Sequence, residues 1–457
     1  MEIYFIGIGG IGVSALAQYY LEKGHKVNGS DLVSSETTRL LKKKGAKILI
    51  GKHKAKNLPK GVDLVVYSPA IQKNNPELKR AYKLKSNIQY PISNIQIKSY
   101  PQALGDLTKK YFTIAVCGTH GKSTTSAMIA LILIKAGLDP TVILGTKLKE
   151  FEKTNFRMGN QYPIPNIQYP ILVIEADEWQ ASFLNYWPKI IVLTNIEKEH
   201  LDYYKNLNHI LKTYKEFVGH LSKEGILIVN KDDENISKLQ LKTKNFSLKQ
   251  KEVKKLKKIL KVPGEHNVYN ALAALTLARV LKIPDKISFK ALSEFQGTWR
   301  RFEVVETNLR GYQRGLTRKI TIISDYAHHP TEIKATIEAC REKFKNKKIW
   351  LIFQPHQALR TFYLFDDFVK VFKKALQQNQ INRLIITDIY DVAGREQKEI
   401  KRKISSKKII KTIDNQKAVY LSKEKIVRYL KKNLKGKEVV IIMGAGDIYY
   451  LTRSFKK

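Results

Sequence analysis

Cys117-Gly118-Thr119-His120-Gly121-Lys122-Ser123-Thr124-Thr125 follows an apolar run from Tyr111 to Val116 and leads into a helix-compatible stretch, Ser126 to Ala136. An apolar strand, a glycine loop, Lys-Ser and a helix, in that order, is the layout by which an α/β sheet presents a phosphate-binding loop. Glycines let backbone N–H groups turn onto phosphate oxygens, and the helix N-terminus adds positive potential. Lys122 supplies a point charge, and the Ser123 hydroxyl can reach Mg²⁺. Gly118, Thr119, His120, Gly121, Lys122, Ser123 and Thr124 are therefore the candidate triphosphate cradle. The full Walker spacing would place its first glycine where Val116 stands, so a shortened loop is expected.

Apolar runs and amphipathic stretches alternate on both sides of this loop. Upstream lie Ile3 to Ile6, a helix from about Gly12 to Lys23, Lys26 to Gly29, a helix from Thr37 to Lys44, Lys47 to Ile50 and Leu64 to Tyr67. That is a βαβ pattern and predicts a parallel sheet. A weakly periodic stretch near Tyr100-Pro101 reads as a linker, and Lys149 to Pro170 as an inserted loop. Strands are expected at Ile171 to Ile174 and Ile190 to Leu193, with a helix from Val268 to Leu281. Beyond Gly297, strands at Ile320 to Ile323, Lys348 to Phe353, Arg383 to Thr387 and Glu438 to Met443 alternate with helices near Thr331 to Phe344, Leu364 to Gln377 and Lys423 to Leu434. The fold class is α/β in three domains: residues 1–102, Rossmann-like; 103–298, a central P-loop unit with a mainly parallel sheet; and 299–457, Rossmann-like again.

Composition narrows the class further. With 43% hydrophobic and 27% charged residues in 457, the chain can bury several cores, and no apolar run is long enough to span a bilayer. The N-terminus passes straight into a strand and glycine loop, which is unlike a signal peptide, so a cytoplasmic protein without membrane insertion is expected. Two cysteines, Cys117 and Cys340, exclude a disulfide framework and a Cys-rich zinc site. The formal charge of +41 comes from lysines spread along the chain, with no aromatic RNA-binding signature or Cys/His finger, so no specific nucleic-acid partner is expected. Such a field does favour anionic small substrates.

Several further groups carry chemistry. Gly7-Ile8-Gly9-Gly10-Ile11-Gly12 after the first strand, with Asp31 near the end of the second, fits a dinucleotide fingerprint. Its physics is close backbone approach to a diphosphate, which NAD and a UDP-sugar satisfy equally. Val173-Ile174-Glu175-Ala176-Asp177-Glu178 and Thr194-Asn195-Ile196-Glu197-Lys198-Glu199-His200 end strands, making Glu175 and His200 candidates for Mg²⁺ beside Ser123. Asn267 and Asn270 lie near a helix start, where they suit an adenine edge or a helix cap. In Gly297-Thr298-Trp299-Arg300-Arg301-Phe302-Glu303 an arginine could neutralise a transferring phosphate. Asp325 to Glu332, Phe353 to Thr361 and Met443 to Ile448 bring Asp325, His328, His356, Arg360 and a glycine turn to one sheet edge.

In order, GIGGIG, GTHGKST, EADE, TNIEKEHLD, GEHNVYNA, GTWRRFE, DYAHHPTE, FQPHQALRT and GAGDI resemble the Mur ligase family over nearly the whole chain. The resemblance implies ATP-dependent amide formation in peptidoglycan precursor synthesis, with ATP and Mg²⁺ as cofactors and UDP-N-acetylmuramate and L-alanine as substrates. The carboxylate would be phosphorylated and the acyl phosphate attacked by the amine, in a monomer or weak homodimer. A ligase that recycles a preformed murein peptide is the alternative. By resemblance, Lys122 and Arg301 contact the transferred phosphate, and Ser123, Glu175 and His200 hold Mg²⁺. Asn267 and Asn270 bind the nucleotide base, with Asp325 and His328 meeting the nucleotide from a closing domain. Gly9, Gly10, Ile11, Gly12 and Asp31 bind the UDP-sugar, and His356 with Arg360 orients a carboxylate. Gln357 stands where the family usually has arginine, which removes one bidentate carboxylate partner.

Overall fold

The computed structural model describes residues 1–86, 95–159, 169–201, 203–240, 242–310, 317–391 and 398–455. Two compact bodies emerge: Met1–Glu199 with Asn206–Val253 and Tyr269–Phe295, and His200–Lys205 with Lys254–Val268 and Gln296–Lys457. Three α/β sheets are distributed over them, two in the first body and one in the second.

The first sheet comprises β1 (Glu2–Ile6), β2 (Lys26–Asp31), β3 (Lys47–Ile50), β4 (Leu64–Tyr67) and β5 (Gln96–Ser99), in the order β3-β2-β1-β4-β5 with every pair parallel. Strand order reverses between β1 and β4, so the loops at their carboxyl ends flank the crevice in which such sheets bind ligands. Helices α1 (Ile11–Glu22), α2 (Glu36–Lys43) and α3 (Pro76–Lys85) provide the crossovers. Ser35 begins α2 with a capping box, and Asn75 accepts from the Glu77 and Leu78 N–H groups at the start of α3.

The second sheet contains β6 (Phe112–Cys117), β7 (Thr141–Leu148), β8 (Thr154–Arg157), β9 (Ile171–Glu175), β10 (Ile190–Leu193), β11 (Ile226–Asn230) and β12 (Lys244–Phe246). Its order is β12-β11-β10-β6-β9-β7-β8, parallel except for the β7–β8 hairpin. Two expectations are corrected here. Tyr100-Pro101 is not an unstructured linker: it opens α4 (Tyr100–Thr108), capped by Ser99, because proline is well suited to the first helical turn. Lys149 to Pro170 is not simply an inserted loop, since β8 adds an edge strand to the sheet; residues 160–168 lie outside the described residues. β8 also packs on α1. Asn155 donates to Ile11 O and, at 3.3 Å, to Ser14 Oγ, while Gln18 Nε2 donates to Asn155 Oδ1 at 3.0 Å. That buried amide network joins the first two sheets into one body.

In the second body β13 (Glu303–Arg310), β14 (Thr317–Asp325), β15 (Ile349–Phe353), β16 (Arg383–Ile386), β17 (Ala418–Tyr420) and β18 (Val439–Met443) form a sheet ordered β13-β14-β18-β15-β16-β17, with only β13 antiparallel. Alternate residues serve opposite faces. Val439, Ile441 and Met443 pack in one core, whereas Val440 and Ile442 pack in the other. Because β14, β18 and β15 are adjacent and parallel, the loops after Asp325, Met443 and Phe353 emerge side by side. Among the described residues no helix is long and apolar enough to cross a membrane.

Candidate functional site

The P-loop follows β6, and α5 (Lys122–Lys135) begins at the lysine itself. Gly121, the residue before the helix, has φ +83°, and a Cβ there would lie 2.5 Å from Asn270 Oδ1. Only glycine meets both conditions without a shift. The segment after β10 clips the loop down: Thr119 N–H donates to Asn195 O at 3.0 Å, His120 N–H to Asn195 Oδ1 at 2.8 Å, and Thr194 Oγ1 to His120 O at 2.6 Å. No side chain caps α5. Its leading N–H groups are therefore oriented as an anion cradle.

Lys122 folds back over this cradle. Its ammonium donates to Gly118 O at 2.7 Å, to Thr119 O at 3.3 Å and to Glu178 Oε2 at 2.7 Å. Burial works against the charge on Lys122, but the carboxylates of Glu178, Asp177 and Glu175 outweigh it and raise the lysine above its ordinary pKa. Glu178 is the partner that sequence reasoning left unassigned within the acidic run.

Ser123 and Glu175 come together as expected. Ser123 Oγ donates to Glu175 Oε2 at 2.9 Å, and Gly145 N–H donates to Glu175 Oε1 at 2.6 Å. A hydroxyl and a braced carboxylate are hard oxygen donors, so their chemistry fits Mg²⁺. His200 is grouped with the second body. Asn270 sits behind the loop, accepting from Thr125 Oγ1 at 3.1 Å. Asn267 donates to Pro263 O at 2.7 Å. Both asparagines lie inside the helix Glu265–Val280, so neither is its N-cap.

At the first sheet, Gly10 precedes α1 without a side-chain cap, leaving the N–H groups of the first turn at Ile11 and Gly12 without a capping side chain. Asp31 turns inward: its Oδ2 accepts from Gly9 N–H at 2.8 Å and its Oδ1 from Val33 N–H at 3.3 Å. It holds the loop's shape. Tyr100 is a further residue that sequence reasoning passed over. A Cβ on Gly12 would lie 2.8 Å from its ring and hydroxyl, and burial together with Glu175 and Asp177 raises its pKa. The tyrosine thus stands between the glycine loop and the carboxylates of the second sheet.

In the second body, buried Asp325 accepts from Phe302 N–H at 2.7 Å and Ala327 N–H at 2.8 Å. Burial raises its pKa despite these bonds and despite Arg301. His328 lies 3.3 Å from Glu332 and 5.8 Å, ring to ring, from His356. Arg360 Nη1 contacts His356 Nδ1 at 3.0 Å; because arginine can only donate, that nitrogen accepts and the ring proton sits on Nε2. Gln357 has φ +69°, and its N–H donates to Tyr390 O at 2.7 Å.

The adjacent arginines divide their work. Arg301 lies over Tyr326 at 5.0 Å and 3.4 Å from Glu332. Arg300 is buried, donates to Gly444 O and Gly446 O, and has its guanidinium 4.2 Å from the Tyr449 ring centre and 4.9 Å from that of Tyr326. It ties the glycine turn after β18 to the segment before β13.

Residues 2–112 match the Mur ligase family catalytic domain, 116–259 the Mur ligase middle domain, and 300–446 the glutamate ligase domain of Mur ligases. A UDP-N-acetylmuramate–L-alanine ligase of Aquifex aeolicus is 38% identical over 100% of this chain and 97% of its own length. The crystal structure of the UDP-N-acetylmuramate–alanine ligase of Thermotoga maritima is 28% identical, covers 100% of this chain and 98% of its own, and superposes with a TM-score of 0.76. A murein peptide ligase of Psychrobacter arcticus, 22% identical with a TM-score of 0.71 over 100% of this chain and 98% of its own, shares the fold. With its three matched segments and a relative this similar over its full length, the chain belongs to the Mur ligase family.

Proposed function

We propose that this protein is an ATP-dependent ligase that joins L-alanine to the lactyl carboxylate of UDP-N-acetylmuramate, a step of peptidoglycan precursor synthesis. The observation that carries the proposal is the P-loop with Lys122 at its centre and Ser123 against Glu175, in a chain 38% identical to a relative named for this reaction. The work divides over residues 1–102, 103–298 and 299–457.

The chemistry explains the residue types. A carboxylate is a poor electrophile, so one of its oxygens first takes the γ-phosphoryl group of ATP, releasing ADP. The amine of L-alanine then attacks the acyl carbon, loses a proton, and phosphate departs with the former carboxylate oxygen. Lys122 must leave Glu178 and turn onto the phosphates, where its charge offsets the charge building on the transferring group. Ser123 and Glu175 would hold Mg²⁺, which supplies charge neutralisation and alignment of the phosphate oxygens. The N–H groups at the start of α1 would bind the diphosphate of the UDP-sugar, with Asp31 fixing Gly9. Arg301 is assigned to the transferred phosphate, His200 to the metal, and Asn267 and Asn270 to the nucleotide base. Asp325 and His328 are assigned to nucleotide contacts, and His356 with Arg360 to carboxylate orientation. The reaction is assigned to the cytoplasm and the protein to a monomer or weak homodimer.

The test is product mass after incubation with ATP, Mg²⁺ and UDP-N-acetylmuramate, offering L-alanine, glycine, L-serine or L-Ala-γ-D-Glu-diaminopimelate. An adduct with L-alanine is expected. An adduct formed only with the preformed peptide would replace this assignment by the recycling reaction.

A further inference from the structure

The glycine loop has a charge deficit. Gly7 through Val13 contain no cation, and the carboxylate beside Gly9 is that of Asp31. A bound diphosphate would meet N–H dipoles and a neighbouring negative charge, but no full positive charge from this loop.

The second sheet places a cation there. Lys147, on β7, extends its ammonium to 3.3 Å from Glu36 Oε2 in the first turn of α2, and its side chain is only 17% exposed. Two contacts fix where this pair lies. On one side, a Cβ on Gly9 would lie 3.0 Å from Thr38 Cγ2, so the first turn of α2, which also carries Glu36, borders the glycine loop. On the other, Leu148 pairs with Thr154 across the hairpin, and Asn155 donates to Ile11 O at the first residue of α1. Lys147 is thus bracketed by α2 and the N-terminus of α1, next to the diphosphate cradle.

We propose, on the basis of the diphosphate placement above, that Lys147 is a substrate-binding residue that exchanges Glu36 for the diphosphate when the UDP-sugar binds. Glu36 is then a resident competitor. It keeps the ammonium at the mouth of the cradle, and the incoming diphosphate, with higher charge and more acceptor oxygens, takes it over. The exchange also links sugar binding to the second sheet, because β7 carries both Lys147 and Gly145, whose N–H holds Glu175.

Competition predicts a sign that a merely structural ion pair does not. Isothermal titration of UDP into wild type, Lys147→Met, Glu36→Gln and the double variant tests it, with melting temperature as the check on folding. Lys147→Met should weaken UDP binding by about tenfold or more. Glu36→Gln should tighten it, and the gain should vanish in the double variant. Wild-type affinity in Lys147→Met, or weaker binding in Glu36→Gln, would overturn the exchange. Wild type that binds no UDP would instead remove the diphosphate placement itself, a separate failure recognised before any variant is compared.

Discussion

The Lys122 ammonium lies 2.7 Å from the Glu178 carboxylate, inside the glycine loop to which the triphosphate is assigned. Both side chains are largely buried, so the lysine is held against an internal anion that, on the proposed mechanism, the substrate has to replace. The arrangement separates two roles that a single alanine substitution would confound. Lys122→Ala should lower turnover by at least about a hundredfold and, by taking the ammonium away from buried Glu178, destabilise the fold by about 3 kcal/mol. Adding Glu178→Gln should restore much of the melting temperature and none of the turnover. Phosphate release and thermal melting, measured on both variants, check the split.

Ser123 and Glu175 make a second separable pair. Ser123→Ala and Glu175→Gln should each raise the Mg²⁺ concentration needed for half-maximal phosphate release by about tenfold, with UDP affinity unchanged. A Mg²⁺ titration at saturating ATP measures it, and unchanged half-saturation would remove these residues from the metal site.

Arg300 and Arg301 should behave oppositely despite being neighbours. Arg300 is buried against two carbonyl groups and two tyrosine rings, so Arg300→Lys should cost about 2 kcal/mol of stability or more, since an ammonium cannot reproduce the planar fork. Arg301 is partly exposed, and Arg301→Ala should leave melting nearly unchanged while reducing turnover. Denaturant unfolding and steady-state rates on the two variants decide it.

His266 gives a pH signature. Burial, followed by the positive charge of Arg301, lowers its pKa from 6.5 to about 4, although Glu332 pulls the other way. The unfolded chain therefore takes up a proton between about pH 6.5 and pH 4 that the folded protein refuses. This contribution to stability is fully present above pH 6.5 and is lost as pH falls toward 4, on the order of 3 kcal/mol in total. Melting temperature across that range should fall less steeply for His266→Gln than for wild type; parallel curves would refute the shift.

The loops that announce themselves by glycine and by strand-to-helix periodicity, Gly7 to Gly12 and Gly118 to Ser123, were legible from residues alone, because their geometry is set by local backbone chemistry. So were the three neighbouring loops of the last sheet, once its strands were recognised. β8 was not legible. Thr154 to Arg157 is short and polar, and it becomes a strand through its pairing with β7 and the Asn155 contact with α1. Tyr100-Pro101 was misread because proline marks a helix start as readily as a linker, and only the Ser99 cap distinguishes the two. Within Glu175 to Glu178 the sequence offers three carboxylates, and only tertiary placement sends Glu175 to Ser123 and Glu178 to Lys122. The same holds for Arg300 and Arg301, sequence neighbours of which Arg300 is buried and Arg301 partly exposed.

The most direct test of carboxylate activation is the fate of its oxygen. UDP-N-acetylmuramate labelled with ¹⁸O in the lactyl carboxylate should, with ATP, Mg²⁺ and L-alanine, pass one labelled oxygen to inorganic phosphate for each amide formed. Phosphate released without label, while amide accumulates, would contradict the acyl phosphate and the role given to Lys122 with it.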